Sequence, residues 1–118
     1  MMGGGPKKDK KFIQKIMWQL KQGKDELFIV DDKLGTPTYT HDFANNVRLL
    51  LEKKYWGLYN MVCGGITGRY EVAVELIDIL GLKGSIKVTP VASDYWKEEY
   101  FADRPPSERL IDKKLNLR

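Results

Sequence analysis

The sequence predicts a small α/β domain, a three-layer-like arrangement of short, mainly parallel strands with three to four helices. Three observations carry that expectation. Apolar residues recur at helical spacing in three separate stretches. Short β-branched and aromatic runs lie between those stretches. The order alternates strand, helix, strand, helix, strand, which favours parallel pairing with the helices as crossovers. A length of 118 residues suits one domain with a real core. The chain reads as a flexible loop leading in over residues 1–6 and a single domain over residues 7–118.

Residues 7–22 form the first predicted helix. Phe12, Ile13, Ile16, Met17 and Leu20 fall on one face, lysines fill the other, and Gly23 supplies a stop. Residues 26–31 form a short apolar run that reads as a buried strand, followed by a turn over residues 31–35. Pro37 forces Thr36 into extended geometry. Thr40 then suits an N-cap, with Asp42 in the first turn where the helix dipole favours an anion. That helix is expected to reach about Lys54, with Phe43, Ala44, Val47 and Leu51 facing inward. Residues 57–62 alternate in part and read as a second strand, closed by Cys63 and broken by Gly64-Gly65. A helix over residues 69–80 follows. Val72, Ala73, Leu76, Ile77 and Leu80 form its stripe, and Gly81 ends it. Residues 86–91 form a third strand, moved towards an edge by Pro90. Residues 92–106 read as loop with a helical turn, and Ser107 as the cap of a last helix over residues 108–115.

Composition excludes several function classes. One cysteine, Cys63, forbids an internal disulfide framework and a four-cysteine zinc site, and suits a reducing cytosol. One histidine, His41, excludes any site needing two, and it reads as a surface residue. No apolar run is long enough to cross a membrane, and no secretory h-region is visible. The formal charge is +4. Only Lys7, Lys8, Lys10, Lys11 and Lys15 form a dense basic run, while the other charges are mixed in sign, so the pattern argues against nucleic-acid binding. No strand is followed by Gly-x-Gly-x-x-Gly, and no tyrosine has a lysine four residues on. This chain is therefore expected to hold no cofactor, no metal and no catalytic residue of its own.

Three loops carry candidate binding chemistry. Residues 35–40 present hydroxyls and an aromatic ring before a helix. Residues 64–70 place Arg69 at a second helix N-terminus. Residues 103–107 carry Arg104. Helix N-termini with two arginines suit a diphosphate, and aromatics suit a base or sugar face.

The stretch Val30-Asp31-Asp32-Lys33-Leu34-Gly35-Thr36-Pro37-Thr38-Tyr39-Thr40-His41-Asp42-Phe43-Ala44 resembles the signature of dTDP-4-dehydrorhamnose reductases, which are extended short-chain dehydrogenase/reductases. Gly57-Leu58-Tyr59-Asn60, Gly68-Arg69-Tyr70-Glu71-Val72-Ala73 and Arg104-Pro105-Pro106-Ser107-Glu108-Arg109-Leu110 resemble further family segments in the same order. The resemblance implies reduction of the 4-keto group of a dTDP-linked deoxysugar with NADPH or NADH, in the cytoplasm, on the way to dTDP-L-rhamnose. It implies that this chain is similar to the substrate-binding C-terminal portion, truncated before the last helix and lacking the Rossmann portion that binds cofactor and carries the catalytic tyrosine and lysine. Thr36, Pro37, Thr38 and Tyr39 would then line or support the sugar-nucleotide side. Arg104 would approach the diphosphate, with Arg69 a further candidate. Gly68 stands where relatives often have a capping serine. The implied partners are a dTDP-sugar, bound weakly by this portion alone, and the Rossmann portion or another chain, with self-association as an option. A non-catalytic regulatory or interaction subunit is the alternative, because the same family includes a regulatory subunit of methionine adenosyltransferase.

Overall fold

The computed structural model describes residues 11–96 and 105–116. The loop over residues 1–6, the lysines at 7, 8 and 10, and Arg104 lie outside the described residues. Helix α1 spans Phe12–Lys21 and places Phe12, Ile16 and Leu20, each four residues apart, on the core. Gly23, at φ 79°, turns the chain out of it. Strand β1, Glu26–Val30, buries Leu27 and Ile29 on one face and turns Phe28 to the other, as period-two alternation requires.

Strand β2 (Leu34–Gly35) leads through an extended segment into helix α2 (Thr40–Glu52). A longer connection reaches strand β3 (Thr67–Gly68), which runs directly into helix α3 (Arg69–Ile79). Strand β4 (Lys87–Val91), a 3₁₀ turn (Ser93–Trp96), strand β5 (Ser107–Glu108) and helix α4 (Lys113–Asn116) complete the order. β1 and β4 pair in parallel, Leu27 opposite Val88 and Ile29 opposite Pro90. α3 lies on this pair, so Ile16, Leu27, Ile29, Ala73 and Ile77 close into one apolar cluster. A second, three-stranded sheet has the order β3-β2-β5, with β3 antiparallel and β5 parallel to β2. The α/β class with short strands and four helices is thus as expected.

Other expectations are corrected. Residues 57–62 are not a strand. They have no ladder partner among the described residues, Leu58 is 87% exposed, and the segment is held from the side instead. Asn60 Nδ2 donates to the Ile111 carbonyl (3.2 Å), and Lys114 Nζ donates to the Leu58 carbonyl (3.3 Å) while lying 4.2 Å from the Tyr59 ring centre. Cys63 accordingly closes no strand. Thr40 is the first helical residue, and the N-cap position falls to Tyr39, with no capping side-chain bond. α2 buries no residue, and Ala44 and Leu51 face outward, as does Leu80 after α3. Ser107 does not cap a helix over residues 108–115. Leu34 N–H donates to the Pro106 carbonyl (3.0 Å), which draws Ser107-Glu108 into β5 and leaves α4 only four residues.

Two carboxylates fasten β1 to β4 at either end. The Glu26 carboxylate accepts the Thr89 hydroxyl (2.7 Å) and lies 3.4 Å from Lys87 Nζ. Asp32 Oδ2 accepts both the Ser93 N–H and the Ser93 hydroxyl, each at 2.9 Å. The Thr89 hydrogen bond holds the Glu26 carboxyl below its ordinary value, and the Ser93 backbone hydrogen bond does the same for Asp32. The folded chain therefore binds these protons less tightly than the unfolded chain. The stabilisation is complete above the ordinary values of 4.5 and 3.8 and is lost as pH falls through the lowered ones. Urea midpoints measured from pH 6 downward should stay level to about pH 4.5 and then fall. Glu26→Gln should shrink that fall, and an unchanged profile would remove the Glu26–Thr89 contact from the account.

Candidate functional site

The three loops singled out by sequence meet at one small sheet. β2 opens the loop 36–39, β3 ends the loop 64–66, and β5 follows Pro105-Pro106. Strand direction divides them. β2 and β5 run the same way and β3 the opposite way, with Gly35 beside Thr67 and Leu34 beside Gly68. Thr36, Pro37, Thr38 and Tyr39 therefore leave one end of the sheet, together with the N-terminus of α2. Arg69 leaves the other end with the N-terminus of α3, on the side where Pro105-Pro106 enter. The antiparallel β2–β3 pair thus puts the two helix N-termini at opposite ends of the sheet. Strands of two residues nevertheless keep the two ends within about 7 Å along the strand.

The loop side chains have settled contacts. Thr38 is buried at 7% exposure. Its hydroxyl donates to the Thr36 carbonyl (3.1 Å) and accepts from Cys63 N–H (3.4 Å), which ties the loop to residue 63. Thr36 and Pro37 are half-buried. Tyr39 is half-exposed and stacks on His41 with ring centres 5.1 Å apart. At the other end, Gly68 N–H donates to Glu71 Oε2 (2.9 Å), the glutamate half of a capping box. A Cβ at Gly68 would lie 3.2 Å from the Lys33 carbonyl, so glycine here also lets β3 approach the turn before β2 closely.

Arg69 reaches an open cavity of about 400 Å³ beside β1. Phe12, Trp18, Phe28 and Trp96 supply aromatic wall, and Lys15 and Lys24 join Arg69 as cations, with no acid among the described lining residues. Phe28 stacks on Tyr95 (5.6 Å between ring centres, 17° between planes), and Tyr95 meets Trp96 edge-on at 4.9 Å. Of the six residues expected at the site, Arg69 alone lines this cavity among the described residues, and Arg104 lies outside them. Sequence reading missed the aromatic wall, although one signal was present. Phe28 stands out of phase with Leu27 and Ile29, and Trp18 lies off the apolar stripe of α1. Among the described residues no group of His, Cys, Asp and Glu gathers to hold a metal ion, and no helix is long and apolar enough to cross a membrane.

The family model of the RmlD substrate binding domain matches residues 6–118. The chain is 37% identical over 70 residues to the spore coat polysaccharide biosynthesis protein SpsK of Bacillus subtilis, covering 59% of this chain and 24% of that protein. It is 31% identical over 83 residues to the dTDP-4-keto-6-deoxy-D-glucose reductase of Streptomyces niveus, covering 70% and 28%. Among solved structures, the dTDP-4-dehydrorhamnose reductase of Yersinia enterocolitica superposes with a TM-score of 0.80 at 31% identity, over 93% of this chain and 37% of that one. The Clostridium acetobutylicum enzyme of the same name gives 0.77 at 35% identity, over 93% and 38%. A Bacillus anthracis dTDP-4-dehydrorhamnose reductase, solved in complex with NADP, gives 0.76 at 25% identity, over 93% and 37%. The chain thus spans about a quarter of the curated relatives and under two fifths of the solved ones. It belongs to the RmlD substrate-binding-domain family, and its fold is that of the matching part of dTDP-4-dehydrorhamnose reductases.

Thr38→Val keeps the shape of the side chain and removes the hydroxyl that joins the loop to Cys63. The expected cost is about 1 kcal/mol in urea unfolding. An unchanged midpoint would show that the hydroxyl does not hold this loop.

Proposed function

We propose that this chain is the nucleotide-sugar-recognising portion of a dTDP-4-keto-6-deoxysugar reductase, with residues 7–118 as one binding domain. The observation that carries the reading is the cavity beside β1, where four aromatic side chains and three cations meet with no acid among the described lining residues. Aromatic faces suit a pyrimidine base at about 1–3 kcal/mol per stacked base. A guanidinium with two ammonium groups suits a diphosphate, which takes charge-assisted and, from arginine, bidentate hydrogen bonds. Thr36, Pro37, Thr38, Tyr39 and Arg104 remain part of the proposal as the side that lines or supports the sugar nucleotide. The match to a substrate binding domain and the reductase names of the relatives support the same ligand class. The cytoplasmic setting suggested by the single thiol belongs to this proposal too.

The residues present do not fit a dinucleotide cofactor. None of the six tyrosines has a lysine four residues on, and no glycine fingerprint follows a strand. Hydride chemistry with NADPH or NADH is proposed to come from protein outside these residues, and no step of it runs through this chain's side chains. What they contribute is binding: stacking by the aromatic wall, charge neutralisation by Arg69 with Lys15 and Lys24, and a tethered loop at residues 36–39.

A second reading, a non-catalytic interaction subunit, rests on one observation. Trp56, Leu58 and Ile111 are 71%, 87% and 75% exposed, and side-chain bonds hold the 57–60 segment beside residues 111–114. Exposed apolar surface of this kind marks a protein contact.

Titrating dTDP against the chain while following tryptophan emission should show saturable, weak binding. Arg69→Ala should weaken it about tenfold, and Arg48→Ala on the outer face of α2 should leave it unchanged. NADPH with a dTDP-4-keto-6-deoxysugar should not be consumed, and equal affinity of Arg69→Ala and wild type would sink the cavity reading. For the second reading, light scattering after size exclusion should give a mass above the 13.6 kDa of one chain. A clean monomer at high concentration would count against that contact.

A further inference from the structure

We propose that Asp32 is the positioning residue for the aromatic wall of the cavity, a role that rests on the cavity being the ligand site. Asp32 leaves the end of β1, and Ser93 leaves the end of the paired strand β4. One carboxylate oxygen, Oδ2, takes both the backbone N–H and the hydroxyl of Ser93 at 2.9 Å. Ser93 is the first residue of the 3₁₀ turn that carries Tyr95 and Trp96. Among the described residues, that turn has no other side-chain hydrogen bond. It is four residues long, and the Tyr95 N–H to Ala92 carbonyl bond (3.1 Å) is internal to the same corner. A 3₁₀ turn this short has poor internal hydrogen bonding and takes its geometry from its ends. The two-point grip on Ser93 sets the turn's direction, and Tyr95 then stacks on Phe28 while Trp96 lines the cavity beside it.

Asp32 also stands two residues before β2, whose far end opens the 36–39 loop. One side chain therefore joins the corner that holds the aromatic wall to the turn that feeds the loop sheet. Asp32 is not among the described lining residues and binds no ligand in this proposal. It acts through Ser93.

The test uses the full chain with Trp18→Phe and Trp56→Phe as background, so that tryptophan emission reports Trp96 alone. Asp32→Ala should red-shift and weaken that emission and flatten the near-ultraviolet circular dichroism of the Tyr95–Trp96 pair. Far-ultraviolet circular dichroism should stay as in the background chain. Asp32→Asn, which keeps one acceptor oxygen, should restore part of both Trp96 signals. Ser93→Ala, which removes only the hydroxyl arm, should fall between the two. In the dTDP titration Asp32→Ala should raise the dissociation constant about three- to tenfold. Unchanged Trp96 emission and dichroism in folded Asp32→Ala would overturn the proposal, as would an unchanged dTDP affinity where the background chain binds. A wild-type chain that binds no dTDP defeats the cavity reading instead, and the ligand-free Trp96 signals then still decide whether Asp32 positions the wall.

Discussion

Two residues, Leu34 and Gly35, hold the candidate loops together. β2 pairs with Thr67-Gly68 on one side and Ser107-Glu108 on the other, so segments far apart in sequence converge on one dipeptide. Closing loops of that length costs chain entropy, and two-residue strands return few hydrogen bonds at about 1 kcal/mol each. A sheet so small does not persist alone. It stands because its surroundings are already fixed. β1 is locked to β4 just upstream, where Asp31 N–H donates to the Val91 carbonyl (3.1 Å) and Asp32 grips Ser93. Downstream, β3 runs straight into α3, which is anchored by buried Ala73 and Ile77. The loops inherit their placement from the apolar cluster, through β2.

How much of this was legible follows from the range of each interaction. α1, β1, α3 and β4 are written in local patterns: apolar residues at helical spacing, alternation, and glycines after the helices. Those patterns also bury the core, so propensity and packing agree. β2, β3 and β5 are Leu-Gly, Thr-Gly and Ser-Glu, dipeptides with no strand signature of their own. Their pairing is imposed by distant chain, and a local reading cannot find it. Residues 57–62 fail in the reverse way, since partial alternation gives a strand pattern and no neighbour supplies a ladder. α2 shows a related limit. Its periodicity is real, yet none of its residues is buried in the described chain, because an amphipathic stripe states only that a face is apolar.

The site divides along the same line. Arg69 was legible because a glycine, an arginine and a glutamate three residues after the glycine mark a helix start. The bond from Gly68 N–H to Glu71 confirms that local geometry. The aromatic wall was not legible as a unit. Phe12 and Trp18 come from α1, Phe28 from β1 and Trp96 from the turn after β4, and only the tertiary arrangement puts them around one opening. Thr38 carries a different lesson. Its hydroxyl reads as a ligand donor in the sequence, whereas in the fold it is engaged by Thr36 and Cys63. A residue of this kind affects binding by holding the loop in place.

Charge is the remaining physical argument for what the cavity would receive. Lys15, Lys24 and Arg69 line one opening with no acid among the described lining residues. Like charges facing a common space repel, and solvent screens that repulsion only while the space stays wet. Lys24 is eased by Gln19 (3.4 Å), but a neutral amide oxygen cancels no charge. An apolar ligand entering here would displace water from three cations and leave them worse solvated. A dianionic group flanked by a flat ring reverses both terms, because it supplies the missing negative charge and covers the aromatic faces. Under the proposed function, the same cavity would disfavour a neutral sugar alone and favour a sugar carried on a nucleoside diphosphate. This is why the nucleotide half is proposed to dominate recognition by these residues.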